Sequence, residues 1–170
     1  MNDSPTPNDP SVVVRIAEPD DIPLILDFIR QLADHVNQSE AVVADEDQLR
    51  KTLFGPRQVA EVVIASFDDE PAGFALFVHN YSTHLGQPGI YLEDLFVVPA
   101  LRGRGIGRLL FSYLAGLAVE RGCGRLEWAV HDWNEPAIRF YKRFGAQAMD
   151  EWTVYRVSGQ ALEELAEGRG

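Results

Sequence analysis

The stretch Leu92-Glu93-Asp94-Leu95-Phe96-Val97-Val98-Pro99-Ala100-Leu101-Arg102-Gly103-Arg104-Gly105-Ile106-Gly107 decides the fold of this chain. An apolar strand pattern ends at Pro99, three glycines follow at alternate positions, and an amphipathic helix begins after them. Glycines let a ligand approach the backbone, and the first N–H groups of a helix lack intrahelical partners. Such a helix end attracts anions, so the sequence predicts a phosphate or pyrophosphate site between Arg102 and Arg108.

Other glycine motifs that bind phosphates fit this stretch less well. A P-loop ends in Gly-Lys-Ser/Thr, whereas here Gly107 is followed by Arg108 and Leu109. A dinucleotide fingerprint has the spacing G-x-G-x-x-G in an early βαβ unit, whereas here G-x-G-x-G lies late in the chain. A turn that serves chain geometry alone remains the simplest alternative to a phosphate site.

Composition favours a globular protein with a small cationic partner. The chain has 170 residues, 46% of them hydrophobic, which suits one domain with a substantial core. A formal net charge of −11 disfavours nucleic acid and favours a cationic substrate. With one cysteine, Cys123, and no ligand-like spacing among the four histidines, we expect no disulfide, no metal and a cytoplasmic location. No run of about 18 apolar residues predicts a membrane span.

Periodicity predicts an α/β fold with one domain. The predicted strands cover residues 12–16, 59–67, 72–81, 90–98, 125–131 and 152–157. The predicted helices cover residues 19–32, 45–53, 105–121 and 134–144. We expect a mixed, mostly antiparallel twisted sheet with helices on both faces and a central βαβ unit. The expected organisation is a disordered leader over 1–11, the domain over 12–157 and a C-terminal tail over 158–170 with one or two loose turns of helix.

The loop and its flanks resemble a known family. The segment Arg102-Gly103-Arg104-Gly105-Ile106-Gly107 fits the Q/R-x-x-G-x-G/A signature of the GCN5-related N-acetyltransferases, the GNAT family. Within it, the segments 91–97 and 133–146 are most similar to the diamine and polyamine acetyltransferases of the spermidine/spermine N1 type. This resemblance, which covers residues 12–157, implies an enzyme that forms a homodimer and transfers the acetyl group of acetyl-CoA to a primary amine by direct attack in a ternary complex. The expected acceptor is a small cation, either a di- or polyamine or a lysine-like amine.

The resemblance also implies the site residues. Glu93 is expected to take a proton from the amine, and Tyr141 to donate one to the sulfur of coenzyme A. The residues expected to bind acetyl-CoA are Leu95, Phe96, Val97, Arg102, Gly103, Arg104, Gly105, Ile106, Gly107, Arg108, Asn134, Pro136, Ala137 and Phe144. The residues expected to contact the acceptor are Glu93, His35, Val36, Glu127 and Trp128.

The chemistry explains why these residue types are needed, and it leaves alternatives open. A protonated alkylamine is a poor nucleophile, so a carboxylate must remove its proton or at least hold the cation, and Glu93 suits either role. Glu93 and Asp94 are expected on opposite faces of a regular strand. Tyr141 and Trp128 would suit core packing as well, and Asn134 would suit a helix cap as well as a contact to pantetheine.

Two alternative functions remain at this stage. The acceptor could instead be an aminoglycoside, another amino acid or a protein amine. The chain could also be an acyl-CoA-binding module without catalysis, although Glu93 and Tyr141 argue for an enzyme.

Overall fold

A computed structural model describes residues 11–36, 40 and 42–169 of the chain. Within them lies a five-stranded sheet in which the strands follow chain order. The strands are β1 Val12–Ile16, β2 Glu61–Phe67, β3 Glu70–Ser82, β4 Gln87–Val97 and β5 Leu126–Trp128. The helices are α1 Ile22–His35, α2 Glu46–Leu53, α3 Ile106–Glu120, α4 Glu135–Lys142 and α5 Gln160–Ala166. The predicted leader lies outside the described residues except for Ser11.

The sheet is mixed, as predicted. β1 to β4 pair antiparallel along the chain, and β5 pairs parallel to β4. A parallel neighbour requires a crossover, and α3 supplies it between β4 and β5. The predicted fold class, a mostly antiparallel α/β sheet with one βαβ unit, is therefore confirmed.

Helices cover both faces of the sheet because alternate strand residues are apolar on both sides. Ile22, Ile25 and Phe28 of α1 pack with α2 on one face, where Phe28 stacks on Phe74 with 5.5 Å between ring centroids. Successive residues of a strand point to opposite faces of the sheet, and residues on the other face, such as Phe77, are also fully buried. α3 contacts β1 to β4, and its Ile106, Leu110 and Leu114 are buried.

The chain forms two compact units, one up to Ala129 and one from Val130 onward. The second unit contains α4 and α5, and α5 agrees with the predicted turns of helix in the tail. The predicted domain boundaries stay a prediction.

Two strand predictions near the C-terminus need correction. The strand predicted over 125–131 is only three residues long, Leu126–Trp128. The strand predicted over 152–157 is absent from the described part of the chain, and Trp152, Val154 and Tyr155 are exposed there. Aromatic and β-branched residues favour a strand only where another strand pairs with it, and no described strand pairs with this segment.

Candidate active site

A β-bulge interrupts β4 at Glu93. Leu92 lies opposite Phe77 of β3 and Asp94 lies opposite Leu76, so Glu93 has no partner residue on β3. Bulges of this kind bend a strand and redirect its side chains. Simple alternation between the two faces therefore does not hold across Glu93, contrary to the sequence-based expectation for a regular strand.

On its other edge, β4 stops pairing with β5 next to the same bulge. The parallel pairing with β5 ends at Leu92 opposite Trp128. From Asp94 to Val97, β4 is paired with β3 alone among the described strands. The Val97 carbonyl oxygen accepts from Arg102 Nε at 3.1 Å. The other outer backbone groups of this segment have no β5 residue opposite them and suit an extended ligand that carries amides, much as a sheet edge accepts a peptide.

The bulge brings together acidic and phenolic groups. Burial and, to a smaller extent, the negative charge of Glu93 together raise the pKa of Asp94 to about 6. The pKa of Tyr91 is also raised, first by burial and then by the charges of Glu93 and Glu127. Glu93 itself is exposed. The field at the bulge is therefore negative, and a cation bound there would be stabilised.

Glu127 and Trp128, two predicted acceptor contacts, are engaged with other side chains. The Asn80 Nδ2 donates to Glu127 Oε2 at 2.6 Å, and the Arg125 Nε lies 2.8 Å from the same oxygen. The Trp128 ring meets Phe111 of α3 edge-on, with 5.1 Å between centroids. This ring contact is the one expected for core packing, and the carboxylate of Glu127 contributes its charge to the site from a fixed position.

The glycine loop has the geometry that an anion site needs. Gly103 and Gly105 have φ values of +80° and +78°, a region that favours glycine. Gly105 is the N-cap of α3 and offers no side chain, so within the described residues no side chain caps the first N–H groups of the helix. A Cβ built on Gly107 would come no closer than 3.7 Å, to Val97 Cγ2, which shows that the helix start lies beside the end of β4.

The arginines of the loop differ in their contacts. The Arg102 Nε donates to the Val97 carbonyl oxygen at 3.1 Å, and Arg102 Nη1 lies 3.3 Å from Nε2 of His35, the last residue of α1. The Arg104 guanidinium carbon lies 4.9 Å from the centroid of the Phe67 ring. Arg108 is exposed in the first turn of α3. Two arginines therefore precede the start of α3 and one lies in its first turn, next to a helix end that already favours negative charge.

Val36, a predicted acceptor contact, is the C-cap residue of α1 in the first unit. The predicted residues from Asn134 onward lie in the second unit. Asn134 caps α4, because its Oδ1 accepts from the N–H of Ala137 at 3.3 Å, and Pro136 lies in the first turn of that helix. Burial raises the pKa of Tyr141 to about 12. The Phe140 ring contacts those of Tyr141 and Phe144, each with 5.1 Å between centroids.

The donors and edges of the first unit fit a long ligand with a diphosphate at one end and amides along its length. Coenzyme A esters have that chemistry. The model of the Acetyltransferase (GNAT) family matches residues 26–146 of this chain. The chain therefore belongs to the GNAT family, and it is an acetyl-CoA-dependent N-acetyltransferase, as the sequence analysis predicted.

Relatives of known activity are similar to this chain over most of their length. A thialysine N-epsilon-acetyltransferase of Bos taurus is 37% identical over 91% of this chain and 97% of its own. The L-ornithine N5-acetyltransferase NATA1 of Arabidopsis thaliana is 32% identical over 89% of this chain and 86% of its own.

Solved structures share the fold. An integron cassette protein from the mobile metagenome of V. cholerae is 28% identical, with a TM-score of 0.79 over 92% of this chain and 98% of that one. An aminoglycoside acetyltransferase from a soil metagenome, at 18% identity and a TM-score of 0.77 over 90% of this chain and 99% of that one, shows the fold alone. None of the helices in the described ranges has the length and apolar character that spanning a bilayer requires. The cytoplasmic location and the homodimer stay predictions.

The sequence analysis did not include Asp94 or Tyr91 among the site residues. The residue pattern predicts a strand at this place, but the bulge depends on the register with β3, which the pattern does not specify. A pair of adjacent acids in an apolar strand was the one available signal.

The raised pKa of Asp94 predicts a pH-dependent stability. Between the ordinary value of 3.8 and about 6, the folded chain holds a proton at Asp94 that the unfolded chain releases. The free energy of unfolding should therefore fall as pH rises through this window, by up to about 3 kcal/mol. Asp94→Asn should lack this dependence and should be more stable than the unchanged protein above pH 6.

Urea unfolding from pH 4 to pH 8 measures this difference, with Asp150→Asn, a change of an exposed aspartate, as the control. A constant difference between Asp94→Asn and the unchanged protein across that range would contradict the raised pKa.

Proposed function

We propose that this enzyme acetylates a primary amine on the side chain of a small amino acid such as thialysine or ornithine, by direct attack while acetyl-CoA is bound. The relatives that share 32–37% identity over most of the chain act, by their names, on thialysine and ornithine. The observation that carries the proposal is the bulge, where the exposed Glu93 lies next to the partly buried carboxyl of Asp94 at the open edge of β4. The charge of −11 on the whole chain also draws cationic acceptors toward it.

The proposed position of acetyl-CoA follows from the same edge. The outer backbone groups of Leu95, Phe96 and Val97 would pair with the pantetheine amides, and one N–H would polarise the carbonyl that is attacked. The loop from Gly103 to Arg108 would hold the diphosphate at the start of α3. Acetyl-CoA supplies an acyl group activated as a thioester. The chain therefore needs only to orient it, to remove a proton from the amine and to donate a proton to the sulfur.

Glu93 is the proposed acceptor of the first proton. An ammonium cannot attack a carbonyl, and a carboxylate at the bulge can both hold it and remove its proton, directly or through water. The exposed position of Glu93 leaves it accessible to the acceptor. Asp94 is the proposed second carboxyl, whose raised pKa responds to the charge on Glu93 and so links the protonation of the two groups.

Tyr141 is the proposed donor of the second proton, to the sulfur that leaves. The pKa of its phenol, raised to about 12 by burial, keeps the hydroxyl protonated at neutral pH. A hydroxyl that stays protonated can donate and then recover its proton from solvent.

Acceptor choice tests the proposal most simply. Release of the coenzyme A thiol should be measured with thialysine, ornithine, lysine, putrescine, spermidine, an aminoglycoside and a lysine peptide. We expect the highest kcat/KM for the amino acids with a side-chain amine, because the relatives with 32–37% identity act, by their names, on such acceptors. A preference for the aminoglycoside or the peptide would assign another acceptor class, and no turnover with any amine would favour a non-catalytic module.

Glu93→Gln tests the proton transfer. The variant should lose about 100-fold in kcat near neutral pH, the size expected for one acid–base group, and the loss should shrink as pH rises. The pH dependence follows because more of the acceptor is then unprotonated in solution. Steady-state rates from pH 6 to pH 10 measure it.

Glu70→Gln, which changes an exposed glutamate at the start of β3, is the matched control. A rise in the KM for the acceptor with kcat unchanged at every pH would make Glu93 an anchor for the cation and remove its proposed role in proton transfer.

A further inference from the structure

His35 contacts Arg102 of the glycine loop, although the family resemblance places it among the acceptor contacts. It is the last residue of α1, and its Nε2 lies 3.3 Å from Nη1 of Arg102, 67 residues further along the chain. The same guanidinium donates through Nε to the carbonyl oxygen of Val97, the last residue of β4. Its carbon lies 6.0 Å from the centroid of the Phe96 ring. The side chain of Arg102 is therefore held by contacts with Val97 and His35, and it lies over the ring of Phe96.

The chemistry of the two groups fixes the state of the imidazole. A guanidinium carries five N–H donors and no acceptor, so a hydrogen bond between the two requires Nε2 of His35 to accept. The imidazole must then be neutral, with its proton on Nδ1. A protonated imidazole at this place would repel Arg102 and break the bond.

The hydrogen bonds to Val97 and His35 leave the other N–H donors of the Arg102 guanidinium for a ligand. Val97 and His35 together occupy two of the five donors, and Arg102 is exposed to solvent. A long arginine side chain that is fixed before it binds loses less rotamer freedom on binding than one that is free. A planar fork held in one orientation suits an oxygen of a diphosphate.

We infer that His35 is a positioning residue for acetyl-CoA: it accepts a hydrogen bond from Arg102 and holds that guanidinium at the diphosphate site. The inference rests on the proposed position of the diphosphate at the loop. It differs from the expectation that His35 contacts the acceptor, because the two roles affect different substrates.

Calorimetric titration with acetyl-CoA, without acceptor, tests the inference. His35→Ala should weaken binding about three- to tenfold, the range of an ordinary net hydrogen bond, because His35 acts on the ligand only through Arg102. His35→Gln should recover most of the affinity, because its amide oxygen can accept from Arg102. His35→Lys should bind more weakly than His35→Ala, because it places a second cation beside the guanidinium.

Steady-state kinetics supplies the second measurement. In His35→Ala the KM for acetyl-CoA should rise while the KM for the acceptor stays within twofold. His84→Ala, which removes an exposed imidazole between β3 and β4, is the matched control and should change neither constant. A rise in the acceptor KM with unchanged affinity for acetyl-CoA would overturn the inference and return His35 to the acceptor site.

Arg102→Ala separates this inference from the proposed function. If it weakens acetyl-CoA binding and His35→Ala does not, the positioning role is wrong and the position of the diphosphate stands. If both single variants weaken binding and the double variant is no weaker than Arg102→Ala, His35 acts through Arg102 as inferred. If neither variant changes the affinity, the diphosphate does not lie at Arg102. Both the positioning role of His35 and the proposed position of the diphosphate are then wrong.

Discussion

The separation of β4 from β5 after Leu92 is the constraint on which the rest of the site depends. A strand in the middle of a sheet has no free backbone groups, and β4 becomes available to a ligand only because its parallel neighbour stops and a bulge bends it. The start of α3 lies beside the end of the same strand, close to Val97. One strand edge and one helix end therefore form a continuous path for a ligand that carries amides and a diphosphate.

The same bulge imposes an electrostatic cost. Asp94 faces Leu76, a residue that packs against the core of α1 and α2, and its carboxyl loses hydration there. A surface carboxylate would cost less, so the fold gives up stability at neutral pH to keep an acid at this place. Strain and unfavourable burial of this kind are common at functional sites. The cost is useful if the bound ligand is a cation, because the cation then relieves the repulsion between Glu93 and Asp94.

The sequence predicted those parts of the structure that depend on local chemistry. Gly103 and Gly105 indicated a backbone that other residues rarely adopt, and both have positive φ. Asn134 and the proline that follows indicated the start of α4, and the asparagine caps it. The apolar spacing of α1 and α3 indicated the faces that the sheet buries. Each of these features is decided within a few residues of the chain.

The features that the sequence missed depend on distant partners. The bulge at Glu93 is a mismatch in register between two strands, and the contact of His35 with Arg102 joins residues 67 positions apart. The strand predicted over 152–157 has suitable residues and no described strand beside it. Pairing, register and burial are tertiary properties, so the surroundings of Asp94 and the contact of His35 became visible only in the folded chain.

Calorimetric titration of Gly107→Asp with acetyl-CoA tests whether the diphosphate lies at the start of α3. Gly107 lies in the first turn of α3, where a carboxylate interacts favourably with the helix dipole and so stabilises the helix, but repels a diphosphate. Gly116→Asp makes the same change on the same helix at a place where a side chain meets nothing within 4 Å. Gly107→Asp should fold at least as stably as Gly116→Asp and should bind acetyl-CoA at least tenfold more weakly. Equal affinity in the two variants would contradict the position of the diphosphate at this helix end.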